Sequence, residues 1–130
     1  MKSVLLAAIL LATAAQVSDP LARFSYSAAL AERMNARYGV STAPLFLADA
    51  ARGRESSTPL LLDAIHALIR VFPACGSRQL QFAYAYGQDA TAHLVAFEQA
   101  AEPAPKCPAA AVVAIVPATG AITVRSFPQT

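Results

Sequence analysis

Asp63, His66 and Arg70 set an acid, an imidazole and a guanidinium at i, i+3 and i+7. On a helix that spacing gathers all three on one side. The acid and the imidazole are groups that move protons, and a guanidinium beside them can hold an anion. The same spacing arises without chemistry, because an amphipathic helix puts its polar residues opposite its core. Leu61, Ala64, Ile65, Leu68, Ile69 and Phe72 supply the matching apolar stripe. The solvated reading is the stronger one, and no residue is assigned as catalytic.

Cys75 and Cys107 are the two cysteines of the chain. Redox pairs stand two residues apart as Cys-x-x-Cys, and these do not. A zinc site needs about four ligands at short spacing; two cysteines with the scattered His66 and His93 do not provide them. The expectation is a disulfide from a helix end to the Pro-rich loop EPAPKCP. Closing a loop of about 33 residues contributes roughly 3–4 kcal/mol in the chain-entropy account.

Two further groups are candidates for holding a partner. Arg52 and Arg54 stand in the polar stretch RGRESST, where a cation pair suits an anionic group. Tyr84 and Tyr86 end the alternating row Leu80, Phe82, Tyr84, Tyr86 within RQLQFAYAYGQD. Leu80 and Phe82 are expected in the core. The tyrosines, nearer the turn, are expected to bury their rings and leave their hydroxyls wet, as interface anchors do. The chain has no Gly-rich phosphate loop, Gly-x-Ser-x-Gly elbow or His-Glu-x-x-His pair. No cofactor and no metal is expected.

These residues are positioned by elements whose periods change along the chain. Asp19-Pro20 is a helix start. Leu21, Phe24, Ala28, Ala31, Met34 and Tyr38 follow at helical steps up to Gly39. Pro44 opens a short helix over about 44–52. Residues 52–58 read as a loop, and Thr58-Pro59 as a fresh helix start. The period then falls from 3.6 to 2. Strands are predicted at about 79–86, 92–99, 110–116 and 121–127. Turns at Gly87–Thr91 and Pro117–Gly120 join the first and last pairs. Helices before strands, with short connections, predict an α+β fold. Two or three N-terminal helices are expected to pack on one face of a roughly four-stranded antiparallel sheet.

The first residues, MKSVLLAAILLATAAQVSDP, run from a lysine through an apolar stretch to small residues. That is the order of a secretory signal, predicted over 1–15, and the stretch is shorter than a membrane span. Residues 16–130 are then one small domain. The net charge of +2 falls to +1 without Lys2, and no basic stripe stands out, so nucleic acid is not an expected partner. The expected compartment is the periplasm, with the extracellular space as the alternative; no membrane span is expected in the mature chain.

The leading functional expectation is an exported protein-binding module of inhibitor, immunity or accessory type, with another exported protein as its partner. The alternative is a small-ligand carrier with a cleft between helices and sheet, where Tyr84, Tyr86 and His93 supply polar tips. A third reading is an enzyme with an unrecognised site.

Overall fold

The structure, a computed structural model, describes residues 21–38, 45–100 and 104–127. The predicted signal segment and the predicted helix start at Asp19-Pro20 lie outside the described residues. The elements run β1 (Phe24–Tyr26), α1 (Ala28–Tyr38), β2 (Leu45–Phe46), α2 (Ala50–Val71), a 3-10 turn (Pro73–Gly76), β3 (Phe82–Gln88), β4 (His93–Gln99), β5 (Ala110–Val116) and β6 (Ala121–Phe127). The fold is α+β. The sheet order is β1-β3-β4-β5-β6, and the two-residue β2 also pairs with β3.

Strands β3 to β6 form an antiparallel meander, the four strands that the alternating pattern predicts. The sheet carries more than that. Phe24, Ser25 and Tyr26 pair in parallel with Phe82, Ala83 and Tyr84, so the sheet is mixed. The three residues of β1 were expected inside a helix. Apolar residues at positions 24, 28, 31 and 34 fit a helical stripe, and a three-residue strand is too short to show a period of its own.

The second departure concerns the chain before Thr58. The predicted loop 52–58 is helical, and α2 runs unbroken for 22 residues. Its start is Asp49, whose carboxylate accepts from the N–H groups of Ala51 at 3.0 Å and Arg52 at 3.3 Å. Pro59 sits inside the helix and removes one backbone donor. Nearby, the hydroxyls of Ser57 and Thr58 donate to the Arg54 carbonyl. Tertiary packing sustains the helix, through the buried face Gly53, Ser57, Leu61, Ala64, Ile65 and Leu68.

The two helices cover opposite faces of the sheet rather than one. On the first face, α2 packs on Phe24, Phe82, Tyr84, Tyr86, Val95, Phe97, Ala111 and Val113. On the second, α1 places Leu30, Ala31 and Met34 on Ala85, Leu94, Ala96 and Val112, with Phe46 beside them. Alternation along β3 explains the division: aromatic residues face α2 and alanines face α1. Small alanine side chains let α1 approach closely. Alanine's weak hydropathy marks that face as neither core nor surface in the sequence.

Polar ties fix the periphery. The Arg23 guanidinium donates to the carbonyls of Ser77 at 2.7 Å and Leu80 at 3.2 Å, and lies 5.2 Å from the Phe24 ring centroid. Desolvation lowers its pKa from the ordinary value. The Asn35 amide donates to the Phe46 carbonyl and accepts from the Phe46 N–H, docking β2 on α1. Buried Gln99 donates to the carbonyls of Cys107 and Pro108 and accepts from Ala104 N–H, which pins the Pro-rich segment. Cys75 and Cys107 are disulfide-bonded, with Cα atoms 5.0 Å apart, inside the α2-side core.

Candidate functional site

Helical spacing along α2 puts Asp63, Ala67, Arg70 and Val71 on one flank, with His66 beside them. That flank overhangs β6. Together with Ile122 and Val124 these residues line an open groove of about 190 Å³. The acid–imidazole–guanidinium row seen in the sequence therefore has an apolar opposite wall, from a strand more than 50 residues further on. None of the three polar side chains makes a hydrogen bond or ion pair among the described residues. Val71 is 52% exposed and Ile122 44%, both high values for apolar side chains.

The groove adjoins an open sheet edge. β6 hydrogen-bonds to β5 on one side, and among the described residues no strand pairs with its other side. Such an edge carries outward N–H and C=O groups that another extended chain can pair with. Seven residues of strand are available, and Arg125 is the one charged residue among them. The lining residues supply no hydroxyl or thiol for covalent catalysis. The described residues hold no group of three or more metal-ligating His, Cys, Asp or Glu side chains. The arrangement offers recognition: a mixed-charge rim, an apolar floor and backbone groups beside it.

A second polar cluster closes the far end of the β3–β4 hairpin. The Tyr86 hydroxyl lies 2.6 Å from His93 Nδ1 and 3.0 Å from Gln88 Oε1. The Tyr86 and His93 rings stack with centroids 5.9 Å apart. Burial raises the Tyr86 pKa above 10.0, so the phenol holds its proton at neutral pH. Gln88 and His93 are register partners, so the cluster clasps the two strand ends.

The other sequence candidates are dispersed. Tyr84 and Tyr86, expected at a partner surface, are 5% and 4% exposed. Tyr84 meets the Tyr26 ring edge-on at 5.1 Å, and both tyrosines lie in the core that α2 covers with Leu61, Ala64, Ile65 and Leu68. Arg52 and Arg54 are exposed in the first turns of α2. They stand about 14–17 Å along the axis from Asp63, away from the groove. The space between α2 and the sheet, where a carrier's cleft was expected, is filled by the aromatic core. Ile122 and Val124 went unassigned to any site because their alternation reads equally as ordinary strand.

Among the described residues no helix is long and apolar enough to cross a membrane. Comparison with protein-family models, with curated proteins and with solved structures found no match.

Proposed function

We propose that this protein is a small exported binding module that docks a polypeptide on the face formed by α2 and β6. One observation carries the reading: the edge of β6 that no described strand pairs lies beside a groove whose rim holds three polar side chains without partners among the described residues, and whose apolar walls, Val71 and Ile122, are half exposed. Exposed apolar surface rimmed by polar groups marks interaction sites. An open strand edge adds main-chain hydrogen bonding, as in recognition by strand addition.

Export is part of the proposal. The order of residues 1–15 suits a secretory signal. The Cys75–Cys107 disulfide suits an oxidising compartment such as the periplasm. An inhibitor or accessory role fits a rigid domain of this size, with the groove as the working surface.

The test is a pair of substitutions at exposed positions. Val71→Asp with Ile122→Asp should leave the melting temperature nearly unchanged, while the tagged, exported protein loses the polypeptide that co-purifies with the parent. Retention of the same polypeptide by the double variant would refute the reading.

A further inference from the structure

Resting on that reading, we propose that the polypeptide taken by the α2–β6 face is a second copy of this chain, joined through β6 about a two-fold axis. A two-fold axis perpendicular to the sheet sets β6 antiparallel to its mate and extends the sheet across both copies. Centred on Val124, it places Ile122 opposite the partner's Ser126 and Thr123 opposite the partner's Arg125. No like charges then face each other across the strand pair, and both open edges are used.

The groove residues supply the reason for choosing this occupant. The same operation runs α2 antiparallel to its mate on one side of the joined sheet. Asp63 and Arg70 lie seven residues apart on one flank, with His66 and Ala67 between them. A row that starts acidic and ends basic is its own complement when reversed. Asp63 of one copy therefore faces the partner's Arg70, and Arg70 faces the partner's Asp63, with the His66–Ala67 stretch near the axis. A partner surface of a single sign would attract one end of this row and repel the other. The dimer also covers Val71 and Ile122, the exposed apolar residues of the groove.

The experiment is sedimentation equilibrium on the disulfide-intact chain lacking residues 1–15, over about 1–200 µM, a range that spans weak to moderate association. The parent should show a monomer–dimer equilibrium. Asp63→Arg alone, or Arg70→Asp alone, should weaken dimerisation at least about tenfold, because like charges then meet across the axis. Asp63→Arg combined with Arg70→Asp should restore it to within about threefold of the parent, which a nonspecific effect of charge would not do. Both positions are exposed, and melts of each of the three variants check that the fold persists. A parent that stays monomeric over the whole range overturns the proposal. So does a dimer indifferent to the single reversals, or one that the double reversal fails to restore. A monomeric parent that still retains a different polypeptide at Ile122 overturns the second-copy proposal and leaves the docking reading standing.

Discussion

A methyl group on Gly53 would lie 2.0 Å from Cζ of Tyr26 and 2.2 Å from its hydroxyl oxygen. The α2 backbone passes that close because Gly53 has no side chain. The Tyr26 ring cannot simply swing aside. Its hydroxyl donates to the Leu47 carbonyl and accepts from the Tyr86 N–H at 3.2 Å. It thus ties the segment after β2 to the middle of the sheet.

Gly53→Ala should therefore destabilise the protein. Helix propensity alone favours alanine by about 1 kcal/mol. Overpacking against a held ring costs about 1–3 kcal/mol and should prevail. Tyr26→Phe, which frees Leu47 and Tyr86 from the hydroxyl, should cost about 1–3 kcal/mol by leaving part-buried groups unmade. Urea unfolding of both variants checks this; a Gly53→Ala variant more stable than the parent would show that the ring yields.

Phe82→Ala should cost about 3–5 kcal/mol, the usual loss for a buried aromatic ring. From sequence, the position of Tyr86 toward the turn suggests a clearly smaller loss there. With Tyr86 at 4% exposure and Phe82 at 3%, Tyr86→Ala should instead cost a similar amount. Tyr86→Phe should cost about 1 kcal/mol, for the hydroxyl held by His93 and Gln88. Thermal melts of the three variants give the order; a Tyr86→Ala variant that melts near the parent would place the ring outside the core.

Removing the disulfide by Cys75→Ala with Cys107→Ala should lower stability by about 3–4 kcal/mol, since its loop spans 32 residues of sequence separation. Alkylation of the native protein without reductant should label neither residue. The prediction fails if the double variant unfolds at the parent's denaturant midpoint.

Asp89 accepts hydrogen bonds from the N–H groups of Thr91 and Ala92, which lower its pKa below the ordinary 3.8. A depressed carboxyl contributes stability that is present above pH 3.8 and is lost as pH falls through the lower folded value. The melting-temperature gap between the parent and Asp89→Ala should therefore be larger at pH 7 than near pH 2. A gap that stays constant or widens on acidification would contradict the assignment.

The last four strands were legible because β3, β4 and β6 alternate and β5 is a short all-apolar run, each bounded by turn or Pro-rich residues; β5 and β6 begin and end where the pattern puts them. The beginning of the chain was less so. Thr58-Pro59 imitates a helix start, but Asp49 is the working cap, and nothing local distinguishes them. Phe24–Tyr26 owes its strand pairing to β3, almost 60 residues away. The row Asp63, His66, Arg70 could be read from spacing. Its apolar counterpart on β6 could not, because only the folded sheet brings residues 122 and 124 beside α2. The opposite placement of α1 was hidden by the alanines of β3 and β4, which read as neither core nor surface.

The claim that the α2–β6 face is the docking surface is met most directly by photo-crosslinking in cells that express the full chain. A benzophenone side chain at Ile122 should give an adduct with a polypeptide, whereas the same group at Glu32, exposed on α1 across the sheet, should not. An adduct at position 32 without one at 122, or none at either, would contradict the account.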